Sequence, residues 1–296
     1  MKYSLSGTMN LSWPEVLDAA RSAEDMGFDE FYSSDHLMSV AGFNDELGIL
    51  DAVALLPALA AATQRIRLGS LVSPITFRTP AVLLRQLHTL DVISGGRSII
   101  GVGAGWSATE HEAFGLPFPG VKDRLAGLES ACRMMRERWP KERPVAPRAA
   151  PHILVAGAST AAITTAARHA DAWNGMGSVA LVASKVSALR AAERSVGRTL
   201  PAPVEATLNI IAMFSEDEGL LEATRKRMAN PGSNRVQASM TLPGEDPTAG
   251  VYIGSPDGLK DRLAEYEAVG IQRVMLTTPR PFTRAGLERL ARAAGM

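Results

Sequence analysis

The chain has 296 residues, 46% of them hydrophobic, with 31 basic side chains against 31 acidic ones and a mean hydropathy of +0.02. That is the balance of a soluble globular chain long enough for one large core, and zero net charge leaves no electrostatic case for nucleic acid or an anionic membrane as partner. One cysteine, Cys132, excludes an intrachain disulfide, and a mid-helix setting reads as a structural thiol. The opening MKYSLSGTMN has no apolar signal core, and the longest uncharged apolar run, Ala52 to Ala62, is too short to span a bilayer, so the expected location is cytoplasmic.

In chain order, Lys2 to Ser6 reads as a strand, followed by a helix that Ser12 and Glu15 open as a capping box and Gly27 ends. Phe28 to Ser33 is a second strand, then comes a loop, a helix through Leu55 and Leu59, and a third strand, IRLGSLV. Thr79 and Pro80 start a helix that runs to Gly95, and Ser98 to Val102 is the fourth strand. Beyond a helix at Val121 to Trp139, strands are expected at Ile153 to Ala156, Ala172 to Asn174, Ala206 to Phe214 and Arg273 to Leu276, with helices in the gaps. Eight strands in strict alternation with eight helical segments predict a closed parallel sheet, a (β/α)8 TIM barrel spanning 1–296 as one domain. Asn230 to Gly250 has no periodicity and reads as a long irregular loop before the last βα unit.

Three strand ends carry chemistry. In LDVISGGRSIIGVGAGW the strand opens into Gly101, Gly103 and Gly105, which let backbone approach a ligand closely. Trp106 stands where a dinucleotide fingerprint needs its third glycine, which argues against nicotinamide binding by that route. In FYSSDH, His36 follows Asp35 at a strand's carboxyl end, the position of reactive groups in barrels, and is the best candidate for proton chemistry. In ILVAGAST the turn Gly157, Ala158, Ser159 and Thr160 precedes a helix whose amino end suits an anion, although a helix cap explains the same residues. Trp106, Trp173 and Phe77 fall at strand ends as either pocket lining or rim packing. His111, in EHE, lacks a second histidine four residues on, so no metal is expected.

Together GFDEFYSSDH, ATQRIRLGSLVSP, FRTPAVLLRQLHTLDVISGGR, GVGAGWSATEHEAFG and AARHADAWN resemble the luciferase-like monooxygenase superfamily, and most closely its coenzyme F420-dependent oxidoreductases. The resemblance implies a barrel, commonly a homodimer, with the cofactor at the carboxyl mouth. It implies that Asp35 and His36 face the ring system, His36 as proton donor or substrate anchor. It places a non-prolyl cis peptide bulge behind the ring at Ser70 and Leu71, the cofactor tail along Gly103, Ala104, Gly105 and Trp106, and its phosphate at Gly157 to Thr160. The sugar-phosphate dehydrogenase branch has an acidic residue in place of Trp106 and a tryptophan in place of Val40, which argues against glucose 6-phosphate as substrate. The expected function is hydride transfer between coenzyme F420 and a small organic substrate. The alternatives are a monooxygenase using reduced FMN and oxygen, and a cofactor-binding protein without activity.

Overall fold

The computed structural model describes residues 1–7, 11–39, 48–228, 242–246, 248–277 and 283–296. Strand β1 (Lys2–Ser6) leads to helix α1 (Trp13–Met26), where the Glu15 carboxylate accepts the Ser12 N–H at 2.7 Å and its hydroxyl at 2.6 Å, as the capping pattern predicts. Gly27, at φ 86°, stops the helix. Strand β2 (Glu30–Ser33) begins later than Phe28 because the Phe28 N–H still donates to Ala23 O, closing the helix end. Asp51 accepts the Ala54 N–H at 2.8 Å and caps α2 (Ala52–Ala62).

The expected strand IRLGSLV is two pieces, β3 (Arg67–Ser70) and β4 (Ser73–Pro74), joined through a cis peptide between Leu71 and Val72. Next come α3 (Pro80–Ser94), β5 (Ser98–Gly103), a short helix α4 (Ala108–Ala113) that periodicity did not reveal, and α5 (Val121–Arg138). The second half runs β6 (Ile153–Ala156), α6 (Thr160–His169), β7 (Ala172–Gly175), α7 (Val179–Ser195), β8 (Glu205–Phe214), α8 (Glu218–Met228), β9 (Tyr252–Gly254), α9 (Pro256–Ala268), β10 (Arg273–Thr277) and α10 (Arg284–Ala294).

Eight parallel strands close the ring in the order β10, β1, β2, β3, β5, β6, β7, β8, with β8 pairing back to β10. The (β/α)8 TIM barrel is therefore as expected. Strict alternation is not: β4 is an extra rung on β5, β9 an extra rung on the far end of β8, and both α8 and α9 lie between β8 and β10. The long loop expected at Asn230 to Gly250 falls largely outside the described residues.

Alternation along each strand sorts the core. Phe31, Leu68, Ile100, Val155, Leu208 and Val274 pack outward under the helices, and Tyr32, Ile99, Leu154, Ala172 and Met275 fill the lumen. Below that apolar layer, at the strands' amino ends, lies a charged one. Buried Glu30 accepts from Arg67 Nη1 at 2.8 Å and from the Tyr32 hydroxyl at 2.7 Å, and Arg273 Nε lies 3.4 Å from both Glu30 and Glu205. Cys132 is buried on α5, and burial pushes its thiol up to about 12, which leaves it inert.

Candidate functional site

At the opposite end, the carboxyl mouth, β2 delivers Asp35 and His36. His36 Nδ1 lies 2.9 Å and 3.1 Å from the two carboxylate oxygens of Glu110 on α4, and the same carboxylate accepts the Leu37 N–H at 2.8 Å. The ring is thus fixed through Nδ1, which leaves Nε2 as its nitrogen for proton chemistry. Burial acts to raise the Glu110 carboxyl, but the hydrogen bond and charge of His36, with the Leu37 N–H and Ser107, outweigh it and hold the group below the usual carboxylate range. Glu110 was not singled out in the sequence. Its signal was present, since Ser107 followed three residues later by Glu is a capping pattern. Ser107 Oγ does accept the Glu110 N–H at 3.4 Å, but the Glu110 side chain crosses to His36.

Asp35 has a partner that the sequence reading did not name. Its buried carboxylate receives Arg78 in two bonds, 2.6 Å and 3.1 Å, and Arg78 also donates to Asp51 at 2.5 Å. Arg78 therefore ties the end of β2 to the cap of α2, both ends of the segment that starts with His36. Asp35, buried against Arg78, positions the chain at the end of β2.

The glycines of β5 also have a different cause. A Cβ on Gly101 would stand 1.8 Å from the Ser70 carbonyl oxygen, and one on Gly103 2.9 Å from a Val72 methyl. What approaches Gly101 and Gly103 from this side is the chain's own bulge. That bulge is cis at Leu71–Val72, one residue later than the Ser70–Leu71 expectation. Ser70 Oγ braces it from below, bonding Ser73 Oγ at 2.8 Å and Gly101 O at 3.1 Å. Gly105, at φ 81°, has the Thr76 hydroxyl where a Cβ would go, and Thr76 in turn meets His111 Nε2 at 2.8 Å. The two halves of the EHE motif thus serve different partners, Glu110 for His36 and His111 for Thr76. Among the described residues no three His, Cys, Asp or Glu side chains converge as a metal site. Trp106 is exposed at the rim, its ring edge-on to His36 with centroids 5.8 Å apart.

At the next strand end, Ala158, Ser159 and Thr160 are exposed, and Ser159 Oγ accepts the Ala162 N–H at 3.2 Å to cap α6. Trp173, which the sequence left open as pocket lining, is wholly buried and donates to Gly157 O at 2.8 Å, so it supports this turn from beneath. The neighbouring α7 terminus differs. There Ser178 Oγ donates to the Glu245 carboxylate at 2.7 Å, which places a negative charge where an anion would need to bind. Of these two turns, only that of α6 keeps its positive dipole end open.

The family described as luciferase-like monooxygenase matches residues 3–273. A protein of Amycolatopsis mediterranei named F420-dependent glucose-6-phosphate dehydrogenase is 35% identical over 127 residues, which are 42% of this chain and 37% of that one. The protein of the same name from Beutenbergia cavernae is 28% identical over 91% of this chain and 88% of its own length. The stronger local match thus spans well under half of its relative. Among solved structures, an F420-dependent secondary alcohol dehydrogenase superposes with TM-score 0.82 at 17% identity, covering 99% of this chain and 98% of that one. The F420-dependent tetrahydromethanopterin reductase of Methanopyrus kandleri gives 0.77 at 19%, over 99% and 97%. A monooxygenase of Streptomyces bottropensis gives 0.76 at 23%, over 100% and 97%. At such identities these likenesses carry the fold alone.

Proposed function

Because the chain belongs to the luciferase-like monooxygenase family, we propose that it is an oxidoreductase dependent on coenzyme F420, moving a hydride between the deazaflavin and a small organic substrate. The names of the relatives that match by sequence favour this cofactor. The observation that carries the reading is the His36–Glu110 pair at the carboxyl mouth, beside the Leu71–Val72 bulge.

The residues present fit the group. The bulge, let in by Gly101 and Gly103, offers Leu71 and Val72 as an apolar back for a ring, and the open α6 terminus at Gly157 to Thr160 suits a phosphate. Gly103, Ala104 and Gly105 would border the tail between them. When bound, the deazaflavin supplies a two-electron hydride donor or acceptor. His36 then gives a proton to the substrate oxygen, or takes one from it, at Nε2. Glu110 acts through His36: it holds the ring in one orientation and stabilises the imidazolium. Arg78 fixes the segment from which His36 projects.

Titration of the purified protein with each cofactor tests the reading. The deazaflavin should bind at least about tenfold more tightly than FMN, about 1.4 kcal/mol. Equal or reversed affinities favour the FMN monooxygenase. Ser159→Asp keeps a good helix cap while placing a like charge beside the phosphate, so it should weaken deazaflavin binding about tenfold or more at unchanged melting temperature. Unchanged affinity leaves Ser159 as a cap only.

A further inference from the structure

We infer that His111 is a positioning residue for the His36–Glu110 pair: it fixes the short helix from which Glu110 reaches His36. What the His36 proton is used for rests on the proposed function, and the geometry stands without it.

Helix α4 spans six residues, and a helix shorter than about 12 does not hold its shape in water unaided. Ala108, Thr109, Glu112 and Ala113 are exposed, while Glu110 and His111 are buried. Among the described residues, these two side chains therefore set where α4 lies. Glu110 is tied to the end of β2, through His36 and the Leu37 N–H. His111 is tied to the chain just past β4, where Nε2 meets the Thr76 hydroxyl at 2.8 Å, and to its own cap, where Nδ1 meets the Ser107 carbonyl at 2.6 Å. A carbonyl only accepts, so Nδ1 donates, and in the neutral ring Nε2 then accepts from the Thr76 hydroxyl. Neighbouring residues of a helix point about 100° apart. A helix held by Glu110 alone could turn about that carboxylate, and the second tether, on a different strand, removes this freedom.

The His111 tether is itself braced. Phe77 and Phe118 pack on its ring, with centroids 5.1 Å and 4.6 Å away. Arg124 lies 3.9 Å over Phe118 and donates from Nε to the Gly105 carbonyl at 3.3 Å. Gly105 lacks the Cβ that would stand 2.6 Å from the Thr76 hydroxyl, which leaves that hydroxyl room to reach His111. The braced turn is also the one that presents Trp106, whose ring meets His36 edge-on. His36 thus has two neighbours, Glu110 and Trp106, set by the same cluster. Hydrogen bonds weaken steeply as their angle departs from linear, so a small rotation of α4 loosens the carboxylate from both His36 and the Leu37 N–H. In the proposed function that loosening costs Nε2 its aim at the substrate oxygen.

Carbon-13 NMR of the glutamate carboxyls, on the protein without cofactor, reads the pair directly, with the Glu110 resonance assigned by its loss in Glu110→Gln. Burial acts to raise the Glu110 carboxyl, and His36, the Leu37 N–H and Ser107 outweigh it, so the wild-type midpoint lies below the usual carboxylate range. Thr76→Val keeps the shape but removes the hydroxyl, and it should raise that midpoint by at least about 0.5 pH unit, about threefold in proton affinity. His111→Leu should do the same, whereas Thr76→Ser, which keeps the hydroxyl, should stay within about 0.2 pH unit of wild type. Amide exchange gives a second readout. The Leu37 N–H should exchange about tenfold faster in Thr76→Val, while core amides such as that of Ile100 keep their protection. A Thr76→Val protein with the wild-type Glu110 midpoint and Leu37 protection overturns the inference, whether or not His111→Leu folds. So does a Thr76→Ser protein that changes as much as Thr76→Val, since the hydroxyl would then not be what acts. Failure to bind the deazaflavin overturns the proposed function instead, and both NMR results still decide the role of His111.

Discussion

At the scale of single residues, the pair of His36 and Glu110 is separated by 74 positions and brought to 2.9 Å. His36→Ala should lower kcat about 100-fold while deazaflavin affinity changes only a few fold, because in the proposed function the group acts on a proton and not on the cofactor tail. Glu110→Gln keeps an acceptor for Nδ1 but removes the charge. Its kcat should fall about tenfold or more with little change in KM, and Glu110→Asp should recover part of the loss. A merely structural carboxylate would leave the kcat pH profile unmoved, so a shifted profile in Glu110→Gln marks it as a positioning residue. Stability gives an independent check. Glu110 is held below the usual carboxylate range in the folded chain, so its contribution is complete above the unfolded value, about 4.3, and is lost as pH falls through the lower folded value. Melting temperatures between pH 3 and pH 7 should therefore fall more steeply on the acid side for wild type than for Glu110→Gln. His36 was legible in the sequence because its place beside Asp35 at a strand end is local. Glu110 and Arg78 were not, since their partners lie on other βα units, and the capping pattern of Ser107 and Glu110 marks a helix start without naming His36 as partner.

Single elements show a similar division. Caps and stops were readable: Glu15 on Ser12, Pro80 in the first turn of α3, and Gly27 and Gly95 in left-handed conformation all do what their chemistry predicts. The glycines of β5 were found, but the bulge that presses on them was not, because a sequence reports that something comes close to a glycine and not what it is. Gly101→Ala tests the assignment. With a Cβ 1.8 Å from the Ser70 carbonyl oxygen, one of two backbones must move, and the cost should be about 3 kcal/mol or more in denaturant unfolding. The protein that does fold should lose deazaflavin affinity, since the displaced segment carries Leu71 and Val72. Unfolding free energy within about 0.5 kcal/mol of wild type would mean that the bulge does not press on β5. Arg97 of the SGGR motif, which helped carry the resemblance, is a staple: it donates to the Ala60, Thr63, Ile66 and Ser94 carbonyls far from the mouth.

Across the whole molecule, the barrel sets its charged layer and the candidate site at opposite ends of its axis. The charged layer of Glu30, Arg67 and Arg273 sits at the strands' amino ends, and Tyr32, Ile99, Leu154, Ala172 and Met275 lie between it and the mouth. Burial, reinforced by Glu30, pushes the Tyr32 phenol well above its ordinary value, so that layer stays neutral. Glu30→Ala should cost about 3 kcal/mol, because it removes the buried carboxylate that holds Arg67 and the Tyr32 hydroxyl and leaves Arg273 with only Asp29 and Glu205. Deazaflavin Kd and kcat of the folded fraction should stay within about twofold of wild type, since the packed middle layer does not transmit the loss. Paired unfolding and kinetic measurements decide this, and a kcat that falls with stability would show the two ends to be coupled.

What the sequence determined by itself is whatever a few neighbouring residues decide. Periodicity and capping set the strands and helices, their order set the parallel barrel, and short motifs at strand ends pointed to the end with the candidate site. Only the tertiary structure decided which side chains meet there. It paired Asp35 with Arg78, brought Glu110 to His36, buried Trp173 and left Trp106 open, and drove the 70–72 bulge against Gly101. Contacts of this kind depend on closing the ring, which brings residues dozens of positions apart to within hydrogen-bonding distance, and no local pattern encodes which of them will face one another.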